Sequence, residues 1–331
     1  MTATLGRRLL FGVLFGVAVY VGIALWADLD GVGNAVRGLP LWVLPAACGL
    51  SALNYALRFL KWQRYLRLLE VRVPRSTSAL IYTAGLSMSI TPGKMGEVFK
   101  SWLLRRVCGA PIHHTAPIVV AERLTDLLGY LVLVAVGGLN TLPEYAWMFW
   151  ALLGLCAVGV LGVGSRRVAR AAVALTARLP GLGRLAPRLE GSFTSARVLL
   201  APREVVLPTL VSVLGWGAEC TGFWLIADAV VPDAMPYLLA VFAYAFSAVA
   251  GAVLILFPGG LGVTEFSLGR IVRLRLTELG TALDVAQATA AGVVILARLC
   301  TLWFAVALGL VATLVFTRRF GALEEVGEAA D

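Results

Sequence analysis

The feature that most restricts the fold of this chain is its set of apolar runs, each about as long as a membrane crossing. They lie at Leu9–Ala27, Pro40–Leu60, Pro117–Leu139, Tyr145–Val163, Val205–Asp228 and Val285–Thr317. A helix needs about 20 residues to span a hydrocarbon core ~30 Å thick. A soluble bundle would instead need polar outer faces, which most of these runs lack. The 331 residues are 60% hydrophobic and 14% charged, whereas ordinary soluble domains are about 25% charged. An integral membrane protein is therefore expected.

The net charge of +9 does not indicate a nucleic-acid partner. Arg and Lys gather at the ends of apolar runs, without the interleaved aromatics of an RNA-binding motif. Their placement instead sets topology, because basic loops stay in the cytoplasm. Arg7 and Arg8, the stretch Lys61–Arg75, the long loop Ser165–Arg203 and Arg318–Arg319 are all expected inside. Both termini are then cytoplasmic. The stretch "KWQRYLRLLEV" has basic and apolar helical faces and is expected to lie on the membrane surface. Residues 165–203 read as a basic amphipathic segment and residues 318–331 as a flexible acidic tail, all within one domain of 1–331. The five cysteines lack metal-ligand spacing and read as small hydrophobes. The adjacent His113 and His114 are not at the i,i+4 spacing of a helical metal pair. No cofactor is expected.

Two short stretches interrupt the apolar pattern. "SMSITPGKMGEVFK" spans Ser87–Lys100 and "LILFPGGLGVTEFS" spans Leu254–Ser267. Each breaks at Pro-Gly, adds a further Gly and then places a Glu. At the first break the halves, about Ser78–Thr91 and Lys94–Arg106, are each shorter than a full crossing. Keeping the basic loops inside requires each broken pair to enter and leave on one face, cytoplasmic at Pro92 and external at Pro258. Two full crossings would give the same parity. The fold class expected is all-α: a polytopic bundle with two broken or re-entrant hairpins of opposite orientation, a faint inverted repeat. Discontinuous elements of this kind suit a mid-membrane site with alternating access.

Proline removes a donor and glycine permits unusual dihedrals. The freed backbone groups are tolerated where protein or a watery cavity receives them. A helix starting after each break offers N–H groups to a phosphate or carboxylate, and Lys94 would add charge at the first. A bland proline kink is the competing reading. Several charges lie in or near the apolar runs: Arg58, Glu97, Glu122, Arg123, Asp126, Glu219, Glu265 and Arg298. A lone charge in hydrocarbon costs several kcal/mol. Fold-stabilising ion pairs explain one or two such groups; this many imply a polar cavity of both signs. The bases could hold a lipid phosphate. The acids could hold an amine, carry a proton or fix the arginines.

These residues carry a resemblance. "NYALRFLKWQRYL", "SITPGKMGEVFKSWLLRR", "VVAERLTDLLGYLVL" and "LFPGGLGVTEFSLG" resemble the lysylphosphatidylglycerol synthase transmembrane region family, also called the flippase-like domain, over Arg8–Thr317. The resemblance implies an inner-membrane module that moves lipids or lipid-linked cargo between leaflets. The cavity residues it implies are Gly93, Lys94, Gly96 and Glu97, then Glu122, Arg123 and Asp126, then Gly259, Gly260, Gly262 and Glu265. Two-domain members carry an aminoacyltransferase; a stand-alone member lacking it is expected here, and the synthase activity is not.

The function expected is translocation of an anionic phospholipid or isoprenoid-linked lipid. The substrate site is assigned to the residues named above, with Arg58, Glu219 and Arg298 from the neighbouring runs. The alternatives are an intramembrane enzyme on a lipid phosphate or lipid-linked sugar, and a membrane partner of a separately encoded lipid-modifying enzyme or glycosyltransferase. Glu122 and Asp126 could serve the enzyme as a pair, but no diagnostic catalytic motif accompanies them. No nucleotide-binding loop is visible, so direct ATP drive is not expected. The sequence is compatible with a homo-oligomer.

Overall fold

The computed structural model describes residues 32–33, 37–90, 97–138, 165–178, 186–253 and 261–321, with isolated positions between 147 and 158. The run Leu9–Ala27, most of Tyr145–Val163, both Pro-Gly breaks and residues 322–331 lie outside the described residues.

Every described element is helical. Helix α1 spans Val43–Leu68, α2 Arg75–Leu86 with a 3-10 turn at Ser87–Ile90, α3 Phe99–Cys108, the short α4 Ile112–Thr115 and α5 Pro117–Gly138. Then come α6 (Arg166–Arg178), α7 (Ala186–Leu199), α8 (Pro202–Val230), α9 (Tyr237–Val253) and α10 (Val263–Glu278). Helix α11 (Leu283–Arg298) runs through a π turn at Leu299–Trp303 into α12 (Phe304–Phe320). Prolines start α5 and α8, where a missing N–H costs nothing. Gly109 ends α3 at φ 73°, with its N–H on the Arg105 carbonyl, a left-handed C-terminal cap.

Three helical stretches are long and apolar enough to cross a membrane: Val43–Leu68, Pro202–Val230 and the continuous Leu283–Phe320. Helix α10, with 16 residues, and α2 and α3, with 12 and 10, fall short of the roughly 20 needed. The chain is thus a polytopic helical membrane bundle. The short α2 and α3 stand on either side of the first sequence break, as the apolar pattern predicts.

The packing exchanges elements between the two halves of the chain. Helix α1 lies antiparallel to α8, because Ala47 meets Gly222, Asn54 meets Glu219, Lys61 meets Ser212 and Arg64 meets Glu204. The short α2 leans on α12, and the short α9 leans on α5. In both cases the long helix offers a glycine at the crossing, since small residues let backbones approach. A Cβ on Gly309 of α12 would collide with the Ser87 backbone. One on Gly137 of α5 would stand 2.6 Å from the Leu238 carbonyl oxygen. Two large apolar clusters result, with a small third at Ile90, Leu261 and Val306. One gathers Val43, Phe223, Tyr244 and Val294; the other gathers Trp62, Tyr65, Ile81, Leu103 and Phe316.

Two sequence expectations change. "KWQRYLRLLEV" is not a separate surface helix. Through Leu68 it continues α1, and Lys61, Trp62, Tyr65 and Leu66 are buried. Helices α8, α2, α5 and α7 pack against it, while Arg67 stays exposed. The basic stretch after Ser165 is two helices with different surroundings. On α6, Val168 and Leu175 are exposed. Helix α7 docks: Ser195 meets the His114 ring, whose other nitrogen faces the Leu69 carbonyl, and Leu199 is fully buried.

Candidate functional site

Between the two halves lies a cavity of about 330 Å³. Among the described residues its charged lining consists of Arg58, Glu97, Arg123, Asp126, Glu219 and Arg298, three bases against three acids. Aromatic rings of Tyr55, Tyr130, Trp216 and Tyr244 supply much of the rest. The described residues beside both breaks reach it as well. Ser89 and Glu97 flank the first break, and Ala252 and Thr264 flank the second.

The charges form one connected arrangement on the α1, α5 and α8 side. Arg123 Nη2 donates to both carboxylate oxygens of Glu97, at 2.5 and 2.6 Å. Its Nη1 lies 3.8 Å from Asp126 Oδ2. Asp126 Oδ1 accepts from Lys61 Nζ at 2.7 Å and from Ser212 Oγ at 2.9 Å. Lys61 also donates to Ser212 Oγ at 2.6 Å. Arg58 Nη2 lies 3.4 Å from Asp126 Oδ2, and its guanidinium sits over the Trp216 ring, 5.0 Å from the centroid. Buried ions persist only when paired and hydrogen-bonded, and Asp126 pairs three cations at once. Glu219 is held differently: Asn54 Nδ2 and the Tyr244 hydroxyl each donate to it at 2.7 Å.

The second half repeats the first pairing. Glu265 follows the second break as Glu97 follows the first, and each receives an arginine from the next long helix. Arg298 Nε donates to Glu265 Oε1 at 2.6 Å. Glu265 Oε2 accepts the Gly262 N–H at 2.7 Å, with Gly262 at φ 87°, a dihedral that suits glycine. Just past Arg298 the π turn widens the helix, and the Thr301 carbonyl accepts the Tyr55 hydroxyl at 2.7 Å. Single π turns in α-helices often mark functional sites.

Six residues proposed from sequence thus meet in one cavity: Arg58, Glu97, Arg123, Asp126, Glu219 and Arg298. Glu265 and Gly262 stand one bond behind it, outside the lining. Glu122 points elsewhere. It receives Lys100, whose ammonium lies 4.9 Å from the Trp62 ring centroid and 5.4 Å from that of Tyr82. Gly93, Lys94, Gly96, Gly259 and Gly260 lie outside the described residues. At the start of α10 Glu265 takes up one backbone N–H, that of Gly262. Lys61, Ser212, Trp216 and Tyr244 were not singled out by the sequence. A lysine four residues before a tyrosine on an apolar helical face was the available signal for Lys61.

Two donors of the cavity lining, Arg123 Nε and Trp216 Nε1, are buried and have no hydrogen-bond partner among the described residues, whereas buried polar groups in proteins are overwhelmingly bonded. Among the described residues no cluster of His, Cys, Asp and Glu has the makings of a metal site.

Apolar helices closed around a charged internal cavity define an integral membrane protein with a polar site inside the bundle. The chain belongs to the family described as the lysylphosphatidylglycerol synthase TM region, whose sequence profile matches residues 13–309. The family ties it to membrane-lipid biochemistry. No curated protein matches the chain significantly.

Proposed function

We propose that this chain is a flippase-like unit that moves an anionic phospholipid or lipid-linked cargo between leaflets of the inner membrane, with both termini cytoplasmic. The observation that carries the reading is the two-signed cavity built jointly by both halves and bordered by both breaks. A volume of about 330 Å³ is at the lower end for small-molecule sites, which suits a headgroup whose acyl chains stay in lipid. A headgroup phosphate would find Arg58, Arg123 and Arg298, with the Trp216 N–H as a neutral donor. Glu97, Asp126 and Glu219 would keep the arginines charged and aimed, and would receive an amine where the cargo carries one. Such a route removes the several-kcal/mol cost of taking a charge through bare hydrocarbon. Alternating access follows from the exchanged packing. If α2 moves with α12 and α9 moves with α5, each break opens against the opposite half.

Leaflet exchange tests this reading. Purified protein in liposomes should speed exchange of headgroup-labelled anionic lipid without ATP, read by chemical quenching of the outer leaflet. Mass spectrometry of the lipid should show no change. No acceleration across anionic, aminoacylated and isoprenoid-linked lipids would remove the reading, and a modified lipid would replace it with an enzyme.

A further inference from the structure

A second cavity, of about 630 Å³, lies at the basic end of the α1–α8 pair, where Arg75 of α2 also reaches it. Among the described residues its polar lining consists of Lys61, Gln63, Arg64, Arg67 and Arg75, with no carboxylate. Glu204 touches it only indirectly, through its bond to Arg64 Nη2. Among the described residues the central cavity balances three bases with three acids, while this one has four bases and no acid. Two of those donors, Gln63 Nε2 and Arg64 Nε, are buried and have no hydrogen-bond partner among the described residues. Buried N–H groups of this kind normally have an acceptor, and a ring of cations selects an anionic one. Leu60, Leu207 and Val211 form the apolar wall. Leu60 is 58% exposed and Leu207 48% exposed, on helices long enough to cross a membrane, so this wall faces lipid.

We propose that this cavity is a separate binding site for the phosphate group of an anionic phospholipid, with Arg67, Arg75, Arg64 and Gln63 as the donors. The apolar, lipid-facing wall decides for a lipid over free phosphate. The two cavities share a partition. Lys61 lines the outer one, while its ammonium is bonded to Asp126, which lines the inner one. Ser212 closes the same contact from α8. A phosphate held at Arg64 and Arg67 thus stands one ion pair away from the central cavity. In the translocation reading, on which this last step rests, the outer cavity is a loading site and Lys61–Asp126–Ser212 is the barrier to be opened.

Binding separates the proposal from transport. Short-chain phosphatidylglycerol would be titrated onto purified protein, with phosphatidylcholine of the same chain length and inorganic phosphate as comparisons. The variants are Arg67→Gln with Arg75→Gln, both at exposed residues, and Arg123→Ala for the central cavity. Two phosphatidylglycerol sites are expected in the wild type. The double variant should weaken one of them about tenfold, the effect of losing two charge-assisted contacts. The Arg123 variant should leave that site intact and weaken the other. Unchanged phosphatidylglycerol binding in the double variant overturns the proposal. So does equal loss of phosphatidylcholine, or displacement of the lipid by equimolar inorganic phosphate. Selective loss in a protein that fails to speed leaflet exchange would retain this site and discard the translocation reading.

Discussion

Arg123 of α5 holds both carboxylate oxygens of Glu97 through a single nitrogen, while its Nε stays buried and without a hydrogen-bond partner among the described residues. The same guanidinium therefore secures the residue after the first break and faces the cavity. Its side chain keeps 27% of its surface accessible. Arg298 and Glu265 restate the pairing in the second half.

Replacing Arg123 with Ala should stop lipid exchange before it unfolds the protein. Stranding a fully buried carboxylate costs about 3–5 kcal/mol. Glu97 borders the cavity, so water can enter and lower that cost. The exchange rate should fall about tenfold or more, equivalent to ~1.4 kcal/mol or more. Arg123→Lys should recover only part of it, since an ammonium lacks the planar fork. Thermal unfolding measured beside exchange separates the two effects. A large stability loss that accounts for all the lost activity would assign Arg123 to the fold alone.

Lys100 and Glu122 should behave in the opposite way. Both are buried and neither lines the central cavity. Lys100→Met should lose about 3–5 kcal/mol by leaving Glu122 uncompensated. Adding Glu122→Leu should restore most of that stability, because a buried pair is often replaceable by apolar residues. The folded double variant should exchange lipid near the wild-type rate. Thermal unfolding and exchange of the three proteins read this directly.

Glu219→Gln should leave the fold nearly intact. Glu219 accepts from Asn54 and from Tyr244. A glutamine can still accept from Tyr244, and Asn54 can turn its amide to present the oxygen that now lacks a partner. Thermal stability should change by about 1 kcal/mol or less. The cavity lining would pass from balanced charge to one net positive charge, so exchange should shift toward anionic over zwitterionic lipid. Competition between the two lipid classes in one vesicle population measures that ratio.

Gly309→Ala should destabilise where Gly217→Ala does not. A methyl on Gly309 meets the backbone of Leu86 and Ser87, which cannot step aside. One on Gly217 meets only Leu133 Cδ2, at 3.9 Å. Overpacking of this kind costs about 1–3 kcal/mol, and thermal unfolding of both variants checks the difference.

The central residues were legible because charge inside an apolar run admits few explanations. Arg58, Glu97, Arg123, Asp126, Glu219 and Arg298 could each be flagged by position, although their partners could not. Lys61 escaped because it stands among arginines at the end of a run, where local periodicity reads as a solvated face. Its burial is decided by Ser212, 151 positions away. Glu122 was assigned to the cavity because it lies four residues before Asp126, on one helix face. The partner on α3 decided otherwise: Glu122 sits one turn nearer the start of α5 than Asp126 and pairs with Lys100. The short α2 and α3 followed from apolar run lengths. The exchange of α2 and α9 between halves rests on glycine contacts that no single segment reveals.

The most direct test of the account fills the central cavity and leaves its charges alone. Ala248 lines the cavity from α9 and is only partly buried, so Ala248→Trp projects an indole into open volume. Leaflet exchange of headgroup-labelled phosphatidylglycerol would be measured for the wild type and this variant at matched folded protein. The account predicts rapid exchange by the wild type and near-background exchange by Ala248→Trp with an unchanged unfolding temperature. Equal rates for the two proteins would contradict it, because the headgroup would then cross by a path other than this cavity.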